Sequence, residues 1–387
     1  MKTLTRIALG GIFGVAAATP ALADVNVGVV LSLTGPAASL GIPEKKTVDL
    51  FPKEIDGQHI HYIFRDDRSD PTEAVTATKE LIGSEKAAIV IGASTTPSSL
   101  AMVDVVGAAQ VPNISLASGK SIVFPVQGHR TFVFNSVQTT GLMAHTTASY
   151  MVHHGVKKVA FIGFSNALGE DWLQNFSAEA KSMGIEIVDI ERFEPSATSV
   201  TGQVLHVLAA KPQAVLIAAS GTPAALPQRE LKKVGFKGQI YQTHGVANPD
   251  FLRVCGVDCD GTILSVSPGV VAEQLPDSSQ IKKSAMRYAQ TYQKAYGKNS
   301  LSQFSAGAWD SLVMLEQAMG VALKTAQPTD LPAFRKAMRD ALEGIHGLAG
   351  AQGVYDMSKT NHNGLDARAV SVVQIEHGAW KLLSDGQ

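Results

Sequence analysis

The sequence predicts an α/β protein of two Rossmann-like lobes, each with a parallel-sheet core. Short apolar runs alternate with longer stretches of helical pattern, and this rhythm is typical of βαβ units. The chain has 387 residues, more than one core ordinarily serves, and its 35 glycines suit many strand-to-helix turns. The apolar runs lie at 25–31, 60–64, 87–91, 111–115, 159–162, 185–190, 214–218, 239–242 and 262–265.

The first 23 residues have the order of a cleavable secretory signal peptide. Lys2 and Arg6 precede an apolar stretch at 7–18, and Ala21-Leu22-Ala23 resembles a cleavage site. The stretch is short for a membrane span, which disfavours the alternative of a retained anchor. We therefore expect residues 1–23 to be removed on export.

The chain has two cysteines, Cys255 and Cys259, so no lipid-anchoring cysteine follows the predicted cleavage site. In an exported protein these two residues meet an oxidising compartment, where a short disulfide bridge is favoured. Two unpaired cysteines packed in one loop are the alternative. Either arrangement has a local role.

Charge and hydropathy exclude some classes of partner. The formal net charge of −1 gives no electrostatic reason to expect nucleic acid or an acidic membrane surface as a partner. No segment after the signal peptide approaches ~18 uninterrupted apolar residues, so no internal membrane span is predicted.

The order of elements predicts that the chain passes three times between the lobes. A strand-like segment ends at Val137, and long helices at 280–296 and 306–323 return to the first lobe before a closing strand at 369–375. The predicted first lobe comprises 24–137 and 266–354, and the second comprises 138–265 and 355–387. A three-stranded hinge joins them.

The most informative positions follow the predicted strands, because ligands of open parallel sheets bind beyond the carboxyl ends of the strands. The turn at 92–97 carries Ser94 and Thr96 before a predicted helix, where free N–H groups and the helix dipole suit a carboxylate. The turn at 116–119 also presents N–H groups. Hydroxyls that only cap helices are the alternative for each turn.

No catalytic, metal-binding or cofactor motif is complete. Gly119-Lys120-Ser121 lacks the glycine that a phosphate-binding loop needs at position 114, and a nucleophile-elbow pattern at 163–167 ends in Ala167. Asp66 and Asp67 are paired carboxylates after the second strand, and we expect them to bind turn amides rather than act as acid and base. The sequence therefore indicates neither an enzyme nor a cofactor.

The order of motifs resembles the type I periplasmic binding proteins of the branched-chain amino acid transport family, along essentially the whole exported chain. Each motif is weak alone, and their order and spacing carry the resemblance. They are Leu33-Thr34-Gly35-Pro36 with Gly41, Asp66-Asp67 with Asp70-Pro71, the Gly92 turn, Val111-Pro112 with Ser115, Lys211-Pro212, and Val234-Gly235-Phe236.

The resemblance implies a periplasmic receptor that captures a small carboxylate-bearing ligand between hinged lobes. The permease subunits of an ATP-driven (ABC) transporter then recognise the closed form. A monomer is the default expectation, because such a receptor must present both lobes to a membrane complex. Matching the family's contact positions one by one implies a ligand-binding set of Leu40, Ser94, Thr96, Ala117, Gly119, Leu168, Ser220, His244 and Phe304.

His244 is the informative departure from the family pattern. It stands where amino acid binders of the family carry a glutamate that pairs with the ligand ammonium, whereas a neutral histidine offers one donor and one acceptor. An aromatic acid or a keto acid is therefore expected in place of an α-amino acid. A histidine that only hydrogen bonds its own loop is the alternative.

Three functions compete for this sequence. Uptake of an organic acid, or of a branched-chain or hydrophobic amino acid, is the first. A sensory protein of the same fold that reports ligand occupancy to a signalling partner is the second, and neighbouring genes for a permease and an ATPase would separate the two. Turnover of a bound compound is the third, and the lack of a complete catalytic motif argues against it.

Overall fold

Residues 24–385 are described by a computed structural model, so the predicted signal peptide lies outside the described residues. Their strands are β1 Val25–Leu31, β2 Glu54–Ile55, β3 Gln58–Asp66, β4 Ile89–Gly92, β5 Asn113–Ser115, β6 Val133–Asn135, β7 Lys158–Phe164, β8 Glu186–Phe193, β9 Ala214–Ala218, β10 Gln239–Gln242, β11 Ile263–Val266, β12 Leu348–Ala349, β13 Val354–Tyr355, β14 Ser371–Glu376 and β15 Ala379–Ser384.

Helices follow most strands, as the sequence predicts. None of those between residues 24 and 385 combines the length and the apolar character that a bilayer span requires. The helices are α1 Ala38–Val48, α2 Pro71–Gly83, α3 Thr96–Ala108, α4 Lys120–Val123, α5 Thr140–His153, α6 Ala167–Met183, α7 Thr201–Ala209, α8 Ala225–Lys233, α9 Pro249–Cys255, α10 Lys282–Tyr296, α11 Gln303–Ala322 and α12 Leu331–Glu343.

Two sheets form the centres of the two lobes. The first has the order β2-β3-β1-β4-β5-β6 and the second has the order β15-β14-β11-β10-β9-β7-β8. Their central strands are parallel, whereas β2 pairs with β3 and β14 pairs with β11 and β15 in antiparallel fashion. The predicted α/β fold with two parallel-sheet cores is confirmed, and the antiparallel edge strand β15 is an addition that the sequence did not indicate.

Each sheet is covered by helices that bury an apolar core. The first core contains side chains from β1, β4, α11 and α12, with Val29 and Leu315 among its fully buried members. The second contains Phe161, Trp172 and Tyr241, also buried. Two separate cores explain why a chain of this length forms two lobes.

The chain crosses between the sheets between β6 and β7, after β11, and before β14. The sequence prediction assigned 355–387 to the second lobe, but Tyr355, Met357, Leu365 and Ala369 are buried in the first core. The Tyr355 hydroxyl donates to the carbonyl oxygen of Ser136 at 2.6 Å, which holds this segment against the first lobe. The last crossing therefore lies near 370 rather than after 354.

A junction of three buried glutamines joins these crossings. Gln303 Nε2 donates to Gln138 Oε1 at 2.9 Å and to Gln352 Oε1 at 3.2 Å, while Gln303 Oε1 accepts from the Ser267 N–H at 2.7 Å. Gln138 Nε2 in turn donates to the Ala369 carbonyl at 2.7 Å. Gln303 of α11 is thus bonded to the first two connecting regions, and Gln138 extends this network to the third at Ala369. We call Gln138, Gln303 and Gln352 the glutamine junction.

The paired acids at the end of β3 support the loops around the cleft. Asp66 Oδ1 accepts from the N–H groups of Leu33 and Arg68 at 2.9 and 2.8 Å, and Asp67 Oδ1 accepts from Ser69 N–H at 2.8 Å. These contacts match the structural role that the sequence indicates for the two carboxylates.

Cys255 and Cys259 form a disulfide bridge, which is the first of the two arrangements that the sequence left open. The bridge links the last residue of α9 to the turn that precedes β11. It lies outside the cavity described below.

Two glycines allow helices to approach strand ends beside the cleft. A Cβ at Gly41 would lie 2.1 Å from the Ser32 carbonyl oxygen, and a Cβ at Gly169 would lie 1.9 Å from the Phe164 carbonyl oxygen. Each glycine directly follows a leucine, Leu40 or Leu168, that faces the cleft. The close approach therefore sets where these two leucines stand.

We expect Gly169→Ala to lower the free energy of unfolding by about 1–3 kcal/mol, because its Cβ would overlap a backbone oxygen. Gly202→Ala is the matched control. Gly202 lies in α7 with open space around its Cα, so alanine there should be neutral or stabilising by up to about 1 kcal/mol. Urea unfolding of both variants measures the difference, and equal stabilities would contradict the prediction.

Candidate functional site

A cavity lies between the lobes, at the carboxyl ends of both sheets, and encloses about 440 Å³ of space including its mouth. Its walls are mostly apolar, as those of ligand pockets usually are. The cavity is lined by Leu40, Ser94, Thr95, Thr96, Leu116, Ala117, Ser118, Val137, Leu168, Ser220, Thr243, His244, Gly245, Gln303 and Phe304.

In the first lobe, different residues of the turn after β4 cap helix α3 and present a hydroxyl to the cavity. Thr95 is the N-cap of α3 and accepts from the Ser98 N–H. Ser94 and Thr96 do not cap the helix. Thr96 Oγ1 is buried and has no hydrogen-bond partner among the described residues. The capping alternative therefore holds for Thr95 only, and Thr96 retains a free hydroxyl at the cavity wall beside the helix N-terminus.

The companion turn after β5 contributes Ala117 and Ser118 to the wall, and Gly119 lies behind it. A Cβ at Gly119 would stand 2.4 Å from Thr96 Cγ2 and 3.1 Å from Thr96 Oγ1. Of the nine predicted contact residues, Gly119 is therefore the one that does not line the cavity. Its missing side chain leaves the space that Thr96 occupies.

The other apolar wall positions come from several elements. Leu40 of α1 packs with Ala37 and Phe304 in a small buried cluster. On the opposite side, Leu168 lies in the first turn of α6, whose N-cap Asn166 accepts from the N–H groups of Leu168 and Gly169. Ser220 follows β9 on the same side and also lines the cavity.

His244 follows β10 and is buried in the second-lobe wall. Burial lowers its pKa from 6.5 to about 4, so the ring is neutral near pH 7. Its Nδ1 has no hydrogen-bond partner among the described residues, and its ring lies 5.9 Å from that of Trp172. Thr243 holds the loop instead, since its hydroxyl donates to the Ala219 carbonyl at 2.6 Å. The Nδ1 atom of His244 therefore does not hydrogen bond the loop of which His244 is a part.

The cavity lining is uncharged. It contains hydroxyls, one amide, one neutral imidazole and apolar side chains, and none of its residues is an acid, a lysine or an arginine. A carboxylate must then be held by hydroxyls and backbone N–H groups. An ammonium group would find no carboxylate partner in the wall.

Comparison with known proteins identifies the family of this fold. A model of the periplasmic binding protein family matches residues 24–380. The chain belongs to the periplasmic binding protein family. Among curated relatives of this periplasmic binding protein, the Leu/Ile/Val-binding protein homolog 3 of Brucella melitensis is 26% identical over 68% of this chain and 73% of its own.

Solved structures of other periplasmic binding proteins share the fold. An extracellular ligand-binding receptor from Rhodopseudomonas palustris HaA2 is 40% identical, with a TM-score of 0.89 over 93% of this chain and 99% of its own. A solute-binding protein of an ABC transporter from R. palustris, in complex with benzoate, is 20% identical with a TM-score of 0.80 over 94% and 96%. The resemblance to type I periplasmic binding proteins of the branched-chain amino acid family is thus confirmed.

The sequence missed seven of the lining residues of this periplasmic binding protein. Several are sequence neighbours of predicted contact residues and lie in the same turns after the strands. Val137 and Gln303 lie at the crossings between lobes, and no local pattern in the sequence marks them. The missed residues are Thr95, Leu116, Ser118, Val137, Thr243, Gly245 and Gln303.

The depressed pKa of His244 predicts a pH-dependent stability. The unfolded chain takes up a proton near pH 6.5 whereas the folded protein does so near pH 4, so folding loses stability as pH falls between these values. By pH 4.5 the loss should be about 2–3 kcal/mol. His244→Asn should lack this component in unfolding measurements at pH 7 and 4.5. The control is replacement of the exposed His153 by Asn, and equal pH dependence in both variants would count against the assignment.

Proposed function

We propose that this protein is the periplasmic substrate-binding component of an ABC uptake transporter and captures an aromatic or other organic monocarboxylate. The uncharged wall that carries the neutral His244 in place of an acid is the observation that carries this proposal. Binding involves no bond making or breaking.

Binding of the carboxylate rests on the first lobe. Thr96 presents a buried hydroxyl without a partner, and Ser94 stands beside it at the N-terminus of α3. Hydrogen bonds to an ionised acceptor are stronger than neutral ones, and the helix N-terminus favours negative charge. An anionic oxygen at this point satisfies the free donor.

The second lobe disfavours an α-amino acid. A buried ammonium needs an anionic partner or several acceptors, and His244 supplies one acceptor at most while it is neutral. The benzoate complex of a protein with the same fold is consistent with an acid that lacks an amino group. Leu40, Leu168 and Phe304 suit a ring or a branched chain as the body of the ligand.

Hinged closure is the proposed mechanism. The first lobe fixes the carboxylate, and the second closes over it with Leu168, Ser220 and His244. The permease subunits then recognise the closed form. We expect a monomer, because both lobes must be presented to the membrane complex.

A branched-chain or hydrophobic amino acid is the second candidate ligand, favoured by the curated Leu/Ile/Val-binding homologue. With this ligand the proposed transport role stays the same, and only the interpretation of His244 changes.

Thermal shift measurements on residues 24–387, stripped of carried-over ligand by unfolding and refolding, separate these ligands. A ligand that binds only the folded form raises the melting temperature. We expect benzoate, hydroxybenzoates or aliphatic keto acids to produce the largest shift. If leucine, isoleucine or valine produces it, the monocarboxylate assignment is wrong and the second candidate stands.

Thr96→Val should weaken binding of the best acid by about 10- to 100-fold, because a hydrogen bond to a charged group contributes about 1.5–3 kcal/mol. Valine keeps the shape of the side chain and removes the donor. The matched control is Thr76→Val on the exposed face of α2. Titration calorimetry measures both affinities. An unchanged affinity of Thr96→Val would contradict the assignment of the ligand carboxylate to this turn.

A further inference from the structure

Glu44 is a buried carboxyl directly behind the ligand wall. It lies on α1, is fully buried, and belongs to none of the ion pairs found between residues 24 and 385. Its Oε2 is hydrogen bonded to the Ser94 hydroxyl, and its Oε1 has no partner in the described part of the chain. It does not line the cavity, so it does not act by touching the ligand.

Burial without a cation favours the neutral form of Glu44. Desolvation raises its pKa well above the ordinary value, the hydrogen bond from Ser94 opposes this, and the nearby charge of Asp67 adds to the rise. An ionised carboxylate at this position would be an unpaired buried charge, which is far more costly than a neutral acid.

The protonation of Glu44 decides which way the Ser94 hydroxyl points. A serine hydroxyl has one proton and two lone pairs. Ser94 Oγ already accepts from the Ser32 N–H at 3.0 Å. If Glu44 were ionised, it would take the Ser94 proton as a hydrogen bond, and no donor would remain for a ligand. If Glu44 is neutral, its own O–H fills the second lone pair, and the Ser94 proton is left for the cavity.

We propose that Glu44 is a positioning residue that, as a neutral acid, donates to Ser94 and thereby turns the Ser94 hydroxyl proton towards an anionic ligand group. The anionic ligand in this inference rests on the proposed function. The role of Glu44 as a donor rests on its buried contact with Ser94. A neutral carboxylic acid that serves as a hydrogen-bond donor inside an apolar site has precedent in protein chemistry.

Two variants of similar size separate this role from a packing role. Glu44→Gln keeps an N–H donor towards Ser94, whereas Glu44→Leu removes the donor. At pH 7, with benzoate as the first probe and the best acid of the panel as the second, we expect Glu44→Gln to bind within a few-fold of the natural protein. Glu44→Leu should bind about 10-fold or more weakly, as expected when one donor to a charged group is lost.

Ser94→Ala tests whether the effect passes through Ser94. The losses from Glu44→Leu and Ser94→Ala should not add in the double variant, because both remove the same donor. Equal affinities of Glu44→Gln and Glu44→Leu, or additive losses, would overturn the proposal. Melting temperatures are recorded in parallel to separate lost folding from lost binding, and Glu44→Met replaces Glu44→Leu if the leucine variant does not fold.

Infrared spectroscopy gives an outcome that does not depend on the ligand. The difference spectrum between the natural protein and Glu44→Gln at pH 7 should contain the C=O stretch of a protonated carboxyl. A carboxylate band in its place would overturn the inference whatever the ligand is. Failure of every acid to bind the natural protein would instead refute the proposed function, and the infrared result would still decide the state of Glu44.

Discussion

The three crossings between the lobes must share one buried point, and the rest of the molecule is arranged around it. The glutamine junction meets this constraint with neutral groups: Gln303 is bonded to the first crossing at Gln138 and to the second at Ser267, and Gln138 is bonded to the third at Ala369. Each of these bonds is buried, where an unmade bond costs about 1–3 kcal/mol. Because Gln303 also lines the cavity, the wall of the site and the hinge share one side chain.

The same preference for neutral groups extends through the site. The cavity wall has hydroxyls, an amide and an uncharged imidazole, and Glu44 behind it has no cation partner within 24–385. A buried cation would bind a carboxylate more strongly, but in the empty protein it would be an unpaired charge in a water-poor cleft. Neutral donors avoid that cost. The direction in which each hydroxyl proton points is then the property that the protein has to control.

The sequence predicted the parts of this protein that depend on local patterns. The predicted runs at 25–31, 214–218 and 239–242 are β1, β9 and β10 at the same residues, because buried parallel strands are rich in apolar residues. Strand ends then located the turns of the site. Residues whose position depends on distant contacts were missed: Gln303 meets the crossings only in three dimensions, and 355–369 returns to the first core through Tyr355. Gly119 does not itself line the cavity, and it leaves the space that Thr96 occupies.

In the proposed mechanism, buried polar groups without hydrogen-bond partners link ligand binding to closure of the cleft. Thr96 Oγ1 and His244 Nδ1 are both buried without partners in the described part of the chain. If closing of the lobes buries such a group, closure becomes less favourable by about 1–3 kcal/mol. An acid that supplies an oxygen to Thr96 removes one of these costs. A ligand with a polar group at its far end removes the other. A compound that satisfies neither leaves the open form favoured, since a ligand shifts an equilibrium only by its differential affinity for the two states. In the proposed mechanism, selectivity and closure therefore have the same physical origin.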